Sequence, residues 1–180
     1  MIPFDSDDFD HVAGGLPPYV DYGPDGEERD EPWRDDAAFK TWLAEHEFQH
    51  DVQDFLLHHL PRVSLAMNHG PLLGVQKFME DNGDQDHQVL KAGFMIVATG
   101  PNGDFIVVDI QNGGAGAGRT GWLPMAMIWR MEAPEIRSHF VATNATLGQF
   151  LRASEEQWET VPKDWYDARG AAEHDGTRPR

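Results

Sequence analysis

Gly93-Phe-Met-Ile-Val-Ala-Thr-Gly-Pro-Asn-Gly-Asp-Phe-Ile-Val-Val-Asp-Ile110 sets two apolar runs, 94–99 and 105–110, around Gly100-Pro101-Asn102-Gly103. Branched and aromatic side chains suit a pleated, crowded surface, and Pro-Asn-Gly supplies a preset φ followed by positions that tolerate φ > 0. Both runs have strand length and are too short for a core helix. The stretch therefore predicts a β-hairpin. Odd and even positions are apolar alike, so neither face is expected to be wet, and the hairpin belongs in mid-sheet under a second layer. Asp109 breaks the pattern, because Phe105 and Val107 share its parity. A carboxylate there must be hydrogen-bonded or lie near the sheet's end.

The rest of the chain is read from this hairpin outward. With 180 residues and 40% hydrophobic content, one domain with a sizeable core is expected. The 31 acidic residues outnumber the 14 basic ones, for a formal charge of −17. Such a field repels phosphates, which argues against nucleic-acid binding and favours a basic partner. The absence of cysteine excludes disulfides and thiolate chemistry. Met1-Ile-Pro-Phe-Asp-Ser-Asp-Asp8 has no basic region and no apolar segment, and no run reaches membrane-spanning length. A cytoplasmic location with no membrane contact is the expectation.

Upstream, residues 1–36 are rich in Asp, Glu, Pro and Gly and read as an acidic extended arm, pinned by Phe4, Phe9, Leu16, Tyr19 and Trp33. A domain over 37–166 and a flexible tail over 167–180 complete the division. A helix is expected to start at Asp35 or Asp36 and to end by Pro61. Phe39, Trp42, Leu43, His46 and His50 share one of its faces, whereas Phe48, Val52, Phe55 and Leu56 lie on another. It is therefore either buried on both sides or broken in the middle. Over 62–92 a short helix or strand is interrupted by Asn68-His69-Gly70-Pro71, and 82–86 reads as a polar loop.

Downstream, Gly116-Ala-Gly-Arg-Thr-Gly121 spells G-x-G-x-x-G, but Trp122-Leu-Pro follows, and Pro124 forbids the helix that a phosphate cradle needs. A strand–strand loop is the better reading. Residues 122–129 predict a third strand antiparallel to the second, with Pro124 marking an edge or bulge. A connector through Pro134 leads to a short strand at Phe140-Val-Ala. Thr143 or Asn144 then caps a helix with Leu147, Phe150, Leu151 and Trp158 on one stripe.

One string points to catalysis. His46-Glu-Phe-Gln-His50 is an H-E-x-x-H motif, which on a continuous helix aims two imidazoles at one Zn²⁺ while the glutamate activates the bound water. The zinc reading makes the protein a metallohydrolase with ligands His46 and His50 and base Glu47. It lacks an evident third ligand: Gln53 and Leu56 stand where the extended motif needs Gly and His, leaving Glu80 as a distant candidate. The competing reading uses no cofactor and packs the histidines beside Trp42 and Leu43.

The order of elements resembles the SUKH superfamily, which includes fungal cell-wall-synthesis regulators and bacterial toxin-immunity proteins. The likeness rests on Asn102-Gly103-Asp104 joining an apolar strand to Phe-Ile-Val-Val-Asp109-Ile, on the Gly-rich loop and aromatic-ended strand to Trp129, and on the helix Leu147-Gly-Gln-Phe-Leu151. It covers roughly 90–155. The Leu-Pro-Pro segment of that family has its nearest string at Leu16-Pro17-Pro18, before an acidic loop rather than a helix. The resemblance implies an α+β fold: a twisted, mostly antiparallel or mixed sheet around the hairpin at about 93–110, with helices on one face and at the ends. It also implies a non-enzymatic protein-binding role. An immunity protein neutralising a basic toxin domain comes first, and a regulatory adaptor is the other role. Asp104, Asp109 and Trp129 are the candidate partner-binding residues.

Overall fold

The structure, a computed structural model, describes residues 4–29, 36–68, 70–84, 86–100, 104–111, 117–124 and 128–157. It is an α+β fold in which helices pack around a six-stranded antiparallel sheet. The strands are β3 (Leu65–Ala66), β4 (Pro71–Leu72), β5 (Phe94–Thr99), β6 (Phe105–Asp109), β7 (Thr120–Leu123) and β8 (Val141–Ala142), and they lie side by side in chain order. A separate two-stranded ribbon pairs β1 (Asp21–Tyr22) with β2 (Glu28–Arg29).

The expected hairpin is β5–β6, in the middle of the sheet, and its residues 94–98 and 105–109 are all buried. Its turn residues 101–103 lie outside the described residues. Register runs from Phe94 opposite Asp109 to Thr99 opposite Phe105, with a bulge between Ile96 and Ala98. Ile106 faces Trp122, and Trp122 meets Phe150 edge-on at 5.0 Å between ring centres. Phe94, paired with Asp109 and so on the opposite face from Ile106, packs at 4.5 Å against Phe140. Each side of the hairpin thus has its own apolar cover, which accounts for runs that are apolar at every position.

The helices lying wholly among the described residues are α1 (Ser6–Gly15), α2 (Asp36–Glu45), α3 (His50–His58), α4 (Val75–Gly83), α5 (Ala133–Ser138) and α6 (Leu147–Gln157). The first of them corrects the reading of 1–36 as an extended arm. Phe9, Val12, Ala13 and Leu16 recur at helical spacing and join the core. Phe4 stacks on Phe55 at 4.2 Å, and Phe9 meets the same ring edge-on at 5.0 Å. Helix α1 packs on α6, where a Cβ on Gly148 would sit 2.4 Å from the Asp5 carbonyl oxygen. Only glycine permits that approach, which also allows Gly148 N–H to donate to Phe4 O. Asp8 pairs with Arg152 across the same contact.

The single helix expected between 35 and 61 breaks into α2 and α3. Its two apolar stripes, Phe39 with Leu43 and Phe48 with Val52, Phe55 and Leu56, cannot both face inward from one straight helix. Glu47, in the left-handed region at φ 49°, makes the corner, and Phe48 then turns into the core. Gln49 Nε2 donates to Ile110 O at 2.9 Å and Gln53 Nε2 to Phe48 O at 2.8 Å, fixing the second segment.

Three further details differ from expectation. The third strand stops at Leu123, because Pro124 offers no N–H to the ladder, and Trp129 falls in a turn closed by Met131 N–H and Ile128 O. That strand is interior, flanked by β6 and β8, so Pro124 ends it without marking an edge. The connector through Pro134 is α5, since a proline in the first turn is compatible with a helix. The cap of α6 is Thr146. Its Oγ1 accepts from Gln149 N–H while Gln149 Oε1 accepts from Thr146 N–H, a reciprocal capping box. Thr143 instead donates its hydroxyl to Thr120 O at 2.6 Å. Among the described residues no helix is long and apolar enough to cross a membrane.

Candidate functional site

Asp109, singled out as the misfit of the hairpin, is only 1% exposed and is held by Arg137 of α5. Arg137 Nη2 lies 2.6 Å from Oδ2 and Nη1 3.4 Å from Oδ1, a two-pronged contact. Gln111 N–H donates to Oδ1 at 3.0 Å, Arg137 Nη1 donates to Ala92 O at 2.7 Å, and the guanidinium sits 4.6 Å over the Phe94 ring. Nearby Gly93 holds a φ of +82°, with the guanidinium and Gln111 on the side where a Cβ would project. Asp109 is thus built into the fold and closed off from a docking partner. Asp104 is half-buried beside the β5–β6 turn, where Gly100 N–H donates to its carbonyl oxygen at 2.7 Å. Of the three candidates only Trp129, 40% exposed, offers a broad surface.

The zinc string loses the placement it needs. His46 follows α2 in a turn, exposed Glu47 forms the corner, and exposed His50 opens α3. His46 Nδ1 donates to Trp42 O at 2.7 Å and its ring stacks on Trp42 at 3.9 Å, close to the packing read as the alternative. Glu80 is engaged on α4 by Gln76 and Lys77. No three His, Cys, Asp or Glu side chains converge as a ligand set among the described residues. Glu47→Gly separates the readings. Because a left-handed non-glycine residue costs about 1 kcal/mol, the variant is expected to melt at or above the parent's temperature, whereas a hydrolase would lose its base.

His46 also lines a cleft of about 280 Å³ with Asn82, Gly83, Asp84, His87, Leu90 and Lys91. Asn82, read from sequence as part of a polar loop, is buried on α4 and serves the sheet. Its Oδ1 accepts from Ile96 N–H at 2.8 Å, and its Nδ2 donates to Ile96 O and to Phe78 O, each at 2.9 Å. His87 is 7% exposed, wedged against Trp129 at 5.5 Å and Phe105 at 5.8 Å. Burial pushes its pKa down, opposed by the carboxylates of Asp84, Asp81 and Asp86. Chemically the cleft offers small polar groups of both signs around a neutral imidazole.

The sign of the resulting pH effect follows from proton counting. As pH falls through the ordinary imidazole value of 6.5, the unfolded chain takes up a proton before folded His87 does, so stability falls. Asp81, whose pKa burial raises against the pull of Lys77, acts in the opposite direction at lower pH. The difference between the parent and His87→Gln isolates the first contribution. Denaturant titrations from about pH 7 to 5 are expected to show a shallower loss of stability in the variant.

Arg137, Asn82 and the β1–β2 ribbon are the features that sequence reasoning missed. The one available signal was Asp109 itself, which demanded a cation without naming it. Comparison with known proteins returns no matching family model, no matching curated protein and no matching solved structure.

Proposed function

We propose that this chain is a non-enzymatic, SUKH-like module that binds a basic protein, a nuclease-type toxin domain being the first partner class to test. On this reading it is a cytoplasmic antidote that covers the cationic, nucleic-acid-binding face of its target. The reading is supported by the antiparallel sheet around the 94–109 hairpin and by the Phe150-Leu151 helix against it. The observation that carries it is the charge. A net −17 raises the local concentration of a cationic partner and orients its approach.

Association with purified basic nuclease domains, followed at rising salt, tests the proposal. The association rate is expected to fall at least about tenfold between roughly 0.05 and 0.5 M salt, as a steered encounter requires. Binding only to neutral partners, at a rate indifferent to salt, overturns it.

A further inference from the structure

Beyond α1 the chain runs along the outer strand of the sheet and then leaves it. Ala66 N–H donates to Pro17 O and Tyr19 N–H to Ser64 O, each at 2.8 Å, so the root of this segment is fixed. The ribbon that follows is closed by its own main chain. Tyr22 pairs with Glu28, Gly23 N–H donates to Glu27 O at 3.0 Å, and Gly26 N–H donates to Gly23 O at 2.8 Å. Gly26, at φ +78°, takes the left-handed position of the turn.

This frame holds apolar side chains in water. Tyr19 is 39% exposed, Val20 41% and Tyr22 62%. Of the five large hydrophobic residues exposed among the described residues, these three fall within four consecutive positions of one segment, with Val20 and Tyr22 two apart as residues sharing a strand face are. Charge states what would cover the patch. Asp21, Asp25, Glu27 and Glu28 are all exposed, and over 17–29 these four acids stand against one basic residue, Arg29, at the ribbon's end in register with Asp21. A second copy of this chain would bring the same negative field and be repelled.

We propose that residues 19–28 form the docking surface of this protein, and that its occupant is a protein face carrying an apolar patch rimmed by Lys and Arg. The inference rests on the basic-partner reading above and assigns it a place. Tyr19 and Tyr22 act as anchors, since tyrosine buries large area at low entropic cost and its ring face accepts a guanidinium. The acids on the same ribbon align the approaching cations.

The probe is an amphipathic helical peptide with Lys and Arg along one face and Leu along the other. Its affinity for the full chain is measured by fluorescence anisotropy, and its site is mapped by amide chemical shifts. Tyr19→Ser combined with Tyr22→Ser is expected to weaken binding about thirtyfold, with shifts centred on 17–29. Leu57→Ser removes a comparably exposed side chain on α3 and is expected to change affinity less than about twofold. The melting temperature reports folding. Should the tyrosine pair unfold the chain, Glu27→Gln with Glu28→Gln replaces it, with a slowed association expected. Equal losses in the tyrosine and Leu57 variants, or shifts centred elsewhere with salt-sensitive binding intact, overturn the ribbon assignment and leave the basic-partner reading standing. No salt-sensitive binding at all overturns both.

Discussion

Arg137→Met is expected to cost about 3–5 kcal/mol of folding stability, because it strands a buried carboxylate in the middle of the fold. Asp109 is 1% exposed, and the guanidinium supplies both of its charged contacts, leaving Gln111 N–H as the remaining donor among the described residues after the substitution. The variant also releases Ala92 O and uncovers the Phe94 ring. Removing both charges is less harmful than removing one: Arg137→Met combined with Asp109→Leu is expected to recover much of the loss, since an apolar pair leaves no carboxylate to desolvate beside a guanidinium that is itself still partly in water. Urea titrations of the parent, the single variant and the double variant measure the effect. A single variant within about 1 kcal/mol of the parent refutes the assignment.

Asn82→Leu is the second large loss, expected at about 2–4 kcal/mol, since it leaves two buried main-chain groups of Ile96 without partners. The register explains why a side chain is needed there. Leu73 N–H donates to Val97 O and Leu72 pairs with Ala98, while Ile96 precedes the bulge and has no main-chain partner on β4. The amide of Asn82 supplies an acceptor and a donor together, standing in for one residue of a missing strand. Asn82→Asp keeps the acceptor but turns a buried carboxylate oxygen toward the carbonyls of Ile96 and Phe78, so its loss is expected to be at least as large as that of Asn82→Leu. Equal stability of Asn82→Leu and the parent, measured by the same titrations, contradicts this account.

These two residues mark where sequence reading stops. Local patterns are readable: two apolar runs about Pro-Asn-Gly point to the mid-sheet hairpin, and Leu147, Phe150 and Leu151 point to α6. The two-stripe conflict around Phe48 was also visible, although not the residue that resolves it. Arg137 and Asn82 were illegible because their meaning depends on partners 28 and 14 positions away, with no periodicity to announce the pairing. The N-terminal helix was hidden by composition. Asp7, Asp8 and Asp10 read as a solvated arm, yet Phe9, Val12, Ala13 and Leu16 form a helical stripe between and beyond them. For the site, the imidazole pair is read on one helix, and a single left-handed residue, Glu47, removes that premise.

The contact between α1 and α6 joins Asp5 to Thr146 across 141 positions of chain. At ribosomal speeds of about 5–20 residues per second, the first helix emerges on the order of ten seconds before the surface that receives it has been made. Until then Phe4 and Phe9 have no complete berth. Docking of α1 therefore waits on the synthesis of α6, and the helix made earlier takes its place only when the later one arrives.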